Sequence, residues 1–110
     1  MVAAHKQFPM PKKDGYMPVL VGAVRNYRPE INYQRDDDGE NISIKNPNYN
    51  ELTAVYWAWK NLKDVDVVGL VHYRRFFFDS KPYSLENVIS IKKVNQLLQK
   101  YDVILPKKRN

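Results

Sequence analysis

The stretch VDVVGLVHYRRFF, residues 65–77, decides the fold of this chain. Residues 65–71 are almost continuously apolar and rich in valine, which is typical of a strand buried on both faces of a parallel sheet. The character then changes within one residue, because a histidine, a tyrosine and two arginines occupy residues 72–75. Ligands of open α/β sheets bind beyond the carboxyl ends of the strands. The stretch therefore predicts a buried strand with a polar site at its tip.

The other apolar runs predict three more strands and two helices. Strands are predicted over residues 2–4, 19–24 and 102–105. A helix is predicted from residue 46 to about residue 62, and a second one over residues 90–100, because apolar side chains recur there at helical spacing. The order strand, strand, helix, strand, helix, strand predicts an α/β fold with a mostly parallel sheet.

Capping residues locate both helices. Asn46 and Pro47 supply an N-cap and a proline at the first helical position, and Ser90 is the predicted N-cap of the second helix. The first helix is apolar on both sides. We therefore expect it to be covered on more than one face, with Trp57 and Trp59 in the core.

A long polar stretch fills residues 25–50. Stretches of this length inside compact domains are usually functional or mobile. Its sequence Asp36-Asp37-Asp38-Gly39 has three adjacent carboxylates, but the following glycine favours a solvated turn over a metal site.

Composition limits the classes of function. The chain has 110 residues, 44% of them hydrophobic, which suits one small domain. It has no cysteine and two histidines, so a zinc site is not expected. No apolar run approaches the roughly 20 residues of a membrane-spanning helix.

The net charge of +6 favours an anionic partner: a nucleic acid, a phosphorylated ligand or an anionic membrane surface. Because the basic residues are scattered and form no known motif, a nucleic acid is not predicted.

Residues 72–75 have two interpretations. Arg74 and Arg75 offer planar forks of donors that match phosphate oxygens. His72 could act as an acid, a base or a hydrogen-bond donor near neutral pH, and Tyr73 could stack on a ring or donate its hydroxyl. If the strand continued, His72 and Arg74 would point to the same side. The alternative is a strand end that meets solvent and binds nothing.

Two further basic segments are candidates for the same kind of contact. His5 and Lys6 follow the first predicted strand and would share an edge with His72 if the two strands are parallel. Residues 107–109 could contact a phosphate or form a basic surface loop. A glycine-rich phosphate loop and a nucleophile elbow are excluded, since neither motif occurs.

Several segments together resemble a known bacterial family. They are ENISIKNPNYNELTAVYWAWKNL at residues 40–62, VVGLVHYRRFF at residues 67–77 and YDVILPKKRN at residues 101–110, with VAAHK and YMPVLVGA near the start. The family was first catalogued as a domain of unknown function and is found in capsular and exopolysaccharide biosynthesis proteins. It is described as glycosyltransferase-like, and its fold is similar to the type A glycosyltransferase sandwich.

The resemblance implies that the chain moves a sugar from a nucleotide-diphosphate donor to a glycan. It also implies that residues 1–110 are the N-terminal, nucleotide-sugar-binding part of one longer, truncated domain. Type A transferases usually hold a divalent metal with an Asp-x-Asp pair. Residues 72–75 fill the corresponding place here, which puts a metal dependence in doubt. Two guanidinium groups could neutralise a departing diphosphate instead.

The resemblance also implies roles for individual residues. Those expected beside the nucleotide base or phosphates are Ala4, His5 and Lys6. Those expected to shape the donor pocket or cap the adjoining helix are Asn41, Asn46 and Glu51. Those expected at the diphosphate as catalytic groups are His72, Arg74 and Arg75, with Tyr73 on the sugar or base.

The implied partners are a nucleotide sugar and a glycan or lipid-linked acceptor. The implied location is the cytoplasm, with the inner face of the membrane as a second option. A homodimer would cover the open sheet edges that half a domain leaves. The alternative function is a non-catalytic module that binds sugar nucleotides during polysaccharide assembly.

Overall fold

The computed structural model of the chain describes residues 1–107. Lys107, the first residue of the basic segment at 107–109, falls in this part, whereas residues 108 and 109 lie outside it. Among residues 1–107, no helix has both the length and the apolar character that crossing a bilayer requires.

Four short strands form one parallel sheet. They are β1 (Val2–Ala4), β2 (Pro18–Leu20), β3 (Gln34–Arg35) and β4 (Val71–His72), and they lie side by side in the order β3-β2-β1-β4. The predicted α/β fold with a parallel sheet is confirmed. β3 lies within the polar stretch, where no strand was predicted.

Four helices accompany the sheet. They are α1 (Ala23–Asn26), α2 (Asn46–Tyr49), α3 (Leu52–Asn61) and α4 (Ile91–Leu98), and 3-10 turns cover Ser43–Lys45 and Leu85–Asn87. The second predicted helix is confirmed as α4. Its N-cap is Ser90, as predicted, because the Ser90 hydroxyl accepts a hydrogen bond from the backbone N–H of Lys93.

The sheet buries side chains on both of its faces. Ala3 and Val19 are adjacent in register and pack with Ala54 of α3. The next residue of β2, Leu20, points to the opposite face and packs near Ile31. All five side chains are at most 7% exposed. The core therefore lies around β1 and β2.

The predicted strand over residues 19–24 is wrong beyond residue 20. The backbone of Gly22 has a φ of 61°, a left-handed conformation that ends the strand and leads into α1. A side chain is also excluded there, since a Cβ on Gly22 would lie 2.7 Å from Oδ1 of Asn46. The apolar run turns because its one glycine permits the turn.

The helix predicted from residue 46 is present but broken in two. The break is at Asn50, whose φ of 52° and ψ of −129° interrupt the helical backbone between α2 and α3. Asn46 is not the N-cap, because its own backbone is helical and Lys45 precedes the helix. The Asn46 side-chain amide instead donates to the carbonyl of Asn50 at 2.8 Å.

α3 is covered on one face, not on several as predicted. Trp57 is buried, and its Nε1 donates to the carbonyl of Asp38 at 2.7 Å. Trp59 is 70% exposed, so its predicted place in the core is wrong. Residues two positions apart point to opposite sides of a helix, and only one of the two tryptophans can face the sheet.

The prediction of a fully buried strand over residues 65–71 is also wrong. Only Val71 and His72 pair with β1, and Val67 and Val68 are about half exposed. The register explains the difference, because Val71 lies opposite Val2. Residues before Val71 extend past the start of β1, and among residues 1–107 no strand lies on the other edge of β4.

The strand predicted over residues 102–105 is absent. Val103 and Leu105 are 65% and 77% exposed. This segment faces residues 66–71 across an apolar groove of about 700 Å³, which α4 also lines. It forms no ladder with β4, although both segments border the same groove.

The strand order places a topological switch point between β1 and β4. From β1 the chain moves outward to β2 and then β3, and it returns to the other side of β1 to form β4. Connections diverge at such a point and leave a crevice beyond the carboxyl ends of the two strands. The residues that directly follow β1 and β4 border this crevice.

Candidate functional site

The crevice brings together residues that are far apart in sequence. His5 and Lys6 follow β1, and Tyr73 and Arg74 follow β4. The two strand ends are joined by a hydrogen bond from the backbone N–H of Tyr73 to the carbonyl of Ala3, at 3.1 Å. The structure therefore gathers most of the predicted site residues at the edge where the sequence predicted them.

Tyr73 is the centre of an aromatic cluster in the crevice. Its ring stacks on Phe8, with centroids 3.7 Å apart and planes inclined by 16°. The rings of His5 and His72 lie 5.6 Å and 4.1 Å from it. Phe8 was not predicted as a site residue, since it lies in a proline-containing loop and nothing in its neighbours marks it. Four aromatic rings thus form one wall of the crevice.

Cations surround this wall. The guanidinium of Arg74 lies 5.2 Å from the centre of the Tyr73 ring, and Nζ of Lys6 lies 5.3 Å from the centre of the Phe8 ring. Neither Arg74 nor Arg75 forms an ion pair with a carboxylate of residues 1–107. Both arginines are exposed at the crevice end of the sheet. Their charges are available to an anion.

His5 responds to these charges. Partial burial lowers the pKa of His5 below its usual 6.5, and the neighbouring charges of Lys6, His72 and Arg74 lower it further. Each of these neighbouring cations makes a positive charge on the His5 imidazole less favourable. His5 is therefore neutral at pH 7, where its ring can donate or accept a hydrogen bond.

The chain turns sharply at residues 72–75 instead of continuing as a strand. The backbone N–H of Arg75 donates to the carbonyl of His72 at 2.8 Å, which closes the turn. The strand does not continue, so the condition under which His72 and Arg74 would point to the same side is not met. The turn presents Tyr73 and Arg74 at its tip, above the end of β4.

His72 connects the turn to α3. Its Nδ1 accepts a long hydrogen bond of 3.4 Å from the backbone N–H of Arg74. In the neutral ring the proton is then on Nε2. This nitrogen lies 3.6 Å from Oε1 of Glu51, the residue directly before α3. Glu51 thus lies beside the crevice, and its role in a donor pocket stays a prediction.

Three other predicted residues lie deeper or to the side. Ala4 is buried, and its carbonyl accepts the N–H of Val21, so it closes the sheet beneath the crevice. The side chain of Asn41 holds the turn before the 3-10 segment, donating to the carbonyls of Asp37 and Gly39. Asn46 holds the break between α2 and α3.

Asp36 is the functional candidate that the sequence concealed. It was predicted to lie in a solvated turn, but it is fully buried. Its Oδ2 accepts hydrogen bonds from the N–H of Gly22 at 2.8 Å and the hydroxyl of Thr53 at 2.7 Å. Its Oδ1 accepts from the N–H of Ala23 at 3.0 Å and the hydroxyl of Ser43 at 2.5 Å. Every lone-pair direction of the carboxylate is used.

The sequence could not show that Asp36 is buried and fully hydrogen-bonded, because its four donors come from three separate segments of the chain. The only local signal is that Asp36 directly follows the short strand β3. Its neighbour Asp37 is partly exposed and forms an ion pair with Arg35 at 2.8 Å. The prediction for the three aspartates is therefore wrong for Asp36 alone. Among residues 1–107, no cluster of three metal-ligating side chains is present.

The apolar groove beside α4 differs from the crevice in chemistry. Its lining contains two carboxylates, Asp66 and Asp102, and no lysine, arginine or histidine among residues 1–107. An anionic ligand would be repelled there. The cationic crevice is the better candidate for a phosphorylated ligand.

Comparison with solved structures defines the class of protein. The apo structure of the WbbM bifunctional glycosyltransferase is similar over 76% of this chain, with 41% sequence identity and a TM-score of 0.66. The fold is thus a partial glycosyltransferase-like α/β fold, as predicted. The matched region is 15% of the length of that protein.

A family model gives the narrower assignment. The model described as "Domain of unknown function (DUF4422)" matches residues 1–110, and the chain belongs to this family. The predicted relation to a glycosyltransferase-related family is confirmed at this level. No curated protein matches the chain.

Proposed function

We propose that this chain is the N-terminal, nucleotide-sugar-binding part of a glycosyltransferase domain. The domain transfers a sugar from a nucleotide-diphosphate donor to a glycan acceptor in capsular or exopolysaccharide biosynthesis. One observation carries the proposal: the switch point of a glycosyltransferase-like sheet holds Lys6 and Arg74 around a wall of aromatic rings.

The cations of the crevice suit the diphosphate. Arg74 and Arg75 present donors without competing ion pairs among residues 1–107, and Lys6 adds a third charge across the crevice. Guanidinium groups bind phosphate oxygens with two hydrogen bonds each, and the lysine acts as a point charge. Three such groups offset most of the charge of a nucleoside diphosphate.

The aromatic rings suit the other parts of the donor. The stacked pair of Phe8 and Tyr73 offers a flat apolar surface for the nucleotide base or the sugar. His5 and His72 border this surface and can hydrogen-bond to hydroxyl or base groups. We assign Tyr73 to the sugar or base and His5 to the base or the adjoining phosphate.

The same cations would assist the reaction. The acceptor oxygen attacks the anomeric carbon of the donor, the bond from that carbon to the diphosphate oxygen breaks, and the acceptor proton passes to a general base. The electron pair of the broken bond goes to the nucleoside diphosphate. Arg74 and Arg75 stabilise the negative charge that develops on this leaving group. We propose that these guanidinium groups serve in place of a divalent metal.

The acceptor and the location belong to the same proposal. The acceptor is a glycan, carried on a lipid during polysaccharide assembly. The domain then acts in the cytoplasm, at the inner face of the membrane where such a lipid is accessible. A homodimer remains part of the proposal as the cover for the open edge of β4.

A second candidate is a non-catalytic module that binds sugar nucleotides. It is favoured by the surroundings of Glu51, the carboxylate that borders the crevice, because its Oε1 faces Nε2 of His72 at 3.6 Å. Such a module would bind a nucleotide sugar and release it unchanged.

Separate assays of binding and turnover distinguish these functions. The protein is titrated calorimetrically with UDP, GDP and their hexose conjugates, and hydrolysis or transfer of the sugar is measured with the same donors. Binding with turnover supports the transferase, and binding without turnover supports the module. An Arg28→Ala variant is the control for charge, since the Arg28 side chain is exposed and donates to the carbonyl of Tyr27. If the protein binds none of these nucleotides, both functions are contradicted.

A further inference from the structure

A chain of hydrogen bonds connects the buried carboxylate of Asp36 to the backbone at Asn50, directly before Glu51 at the crevice. Oδ2 of Asp36 accepts from the hydroxyl of Thr53, and this hydroxyl also lies 3.1 Å from the carbonyl of Asn50. The side-chain amide of Asn46 donates to both Thr53 Oγ1, at 3.1 Å, and the Asn50 carbonyl, at 2.8 Å. Glu51 directly follows Asn50 in the chain, and its carboxylate contacts His72.

The single hydroxyl proton of Thr53 decides how this chain is ordered. It can go to Asp36 at 2.7 Å or to the carbonyl of Asn50 at 3.1 Å. The bond to the ionised carboxylate is shorter and charge-assisted, so it is the stronger one. The hydroxyl oxygen is then free to accept from Asn46. The amide of Asn46 is thereby oriented toward the Asn50 carbonyl.

This ordering fixes the backbone just before Glu51. Asn50 has a φ of 52° and a ψ of −129°, a conformation that needs support from its surroundings. The Asn46 amide, which the Thr53 hydroxyl orients, and the backbone N–H of Thr53 both donate to the carbonyl of Asn50 and supply that support. The direction in which the chain leaves Asn50 determines where the side chain of Glu51 points.

We infer that Asp36 is a positioning residue of the crevice: through Thr53 and Asn50 it holds the carboxylate of Glu51 beside His72. Asp36 itself touches no ligand, since it is fully buried under α1. The geometric claim is independent of the proposed function. Its consequence for nucleotide binding rests on that function.

The two hydroxyl groups that donate to Asp36 allow a matched control for the test of its positioning role. Ser43 donates to Oδ1, whereas Thr53 donates to Oδ2. Both hydroxyls are buried, and loss of either one leaves the carboxylate short of a donor. Only Thr53 connects to Asn50. A purely structural role therefore predicts equal effects of the two substitutions on His72, and a positioning role predicts unequal ones.

The test measures His72 by NMR in the absence of nucleotide. The readouts are the ¹⁵N shift of Nε2 and the NOE between the Glu51 side chain and the His72 ring. In Thr53→Val we expect the shift to move to its value in Glu51→Ala and the NOE to disappear. In Ser43→Ala both remain as in the unchanged protein, although its thermal midpoint falls. Thr53→Ser restores both signals, and Asp37→Asn, on the surface of the same turn, leaves them unchanged.

Two results would overturn the inference. One is a Thr53→Val protein that keeps the shift and the NOE, and the other is a Ser43→Ala protein that loses them to the same extent. The same NMR signals are measured in Asp36→Asn. Thr53→Val is the decisive variant for the positioning role, because it leaves three of the four donors to Asp36 in place. UDP titrations of the same variants form a separate arm. Unchanged NMR signals refute the positioning role, whereas a lack of UDP binding by the unsubstituted protein refutes only the proposed function.

Discussion

Oε1 of Glu51 lies 3.6 Å from Nε2 of His72, and this contact joins the start of α3 to the end of β4. It crosses the switch point of the sheet. On one side is β4, which leads into the turn at residues 72–75, and on the other is α3, which covers β1. The contact places a carboxylate next to a group of cations without pairing it to Arg74 or Arg75. The arginines are thus left to an external anion.

Removal of one guanidinium should weaken the crevice for diphosphates. We predict that Arg74→Ala, and separately Arg75→Ala, each cost about 2–4 kcal/mol of transition-state stabilisation, the range for a lost donor to a developing charge. The measurement is kcat/KM for sugar transfer in the protein that contains this chain. Arg28→Ala should retain the unsubstituted rate. Full activity in both crevice variants would remove the proposed role of the arginines.

The aromatic wall should matter for binding of the donor. Phe8 is partly exposed and stacks on Tyr73 at 3.7 Å. Loss of an aromatic stacking partner costs about 0.5–1.5 kcal/mol beyond the buried area. We therefore predict that Phe8→Ala weakens UDP binding roughly two- to twelvefold, as ΔΔG converts at about 1.4 kcal/mol per tenfold. Phe8→Tyr should bind as the unsubstituted protein does, and equal loss in both variants would contradict the stacking role.

The backbone at Gly22 admits no other residue without loss of stability. An alanine there would have a positive φ and a Cβ 2.7 Å from Oδ1 of Asn46. The left-handed conformation alone costs about 1–2 kcal/mol for a residue with a Cβ. We predict that Gly22→Ala lowers the free energy of unfolding by at least that amount in urea denaturation. Gly69→Ala is the matched control, because nothing lies within 4 Å of a Cβ added at Gly69.

The elements that the sequence predicted well are those whose signals are local. α4 follows from its apolar spacing and from Ser90, and the polar end of β4 follows from the abrupt change at residue 72. The association of His5 with His72 needed only that β1 and β4 be parallel. Each of these predictions depends on neighbouring residues or on one rule of sheet topology.

The elements that the sequence could not predict depend on distant partners. Asp36 differs from Asp37 only through donors supplied by Gly22, Ser43 and Thr53. Residues 65–71 have the composition of a buried strand, but the register on β1 leaves most of them without a partner. Trp59 looked like a core residue because α3 is apolar on both sides, and only the placement of the helix shows which side is exposed.

The break between α2 and α3 stores strain that glycine would relieve. Asn50 has a φ of 52° and a ψ of −129°, a region that residues with a Cβ rarely occupy. We predict that Asn50→Gly stabilises the protein by about 1 kcal/mol, measured by urea denaturation. The hydrogen bonds at Asn50 use its backbone groups, so they survive the substitution. A loss of stability would show that the Asn50 side chain has a role of its own.

The titration of His5 reports the charge of the crevice. Its pKa is lowered by partial burial, then by Lys6, His72 and Arg74, so the folded protein binds fewer protons at this site than the unfolded chain. Stability is therefore lost as the pH falls from 6.5 through the lowered pKa, and it is constant at this site above 6.5. We predict an NMR midpoint for His5 below 6.5, which rises in Lys6→Ala and rises less in Arg74→Ala. His5→Gln should remove this part of the pH dependence of unfolding. A midpoint at or above 6.5, or one that ignores both substitutions, would show that these cations do not converge on His5.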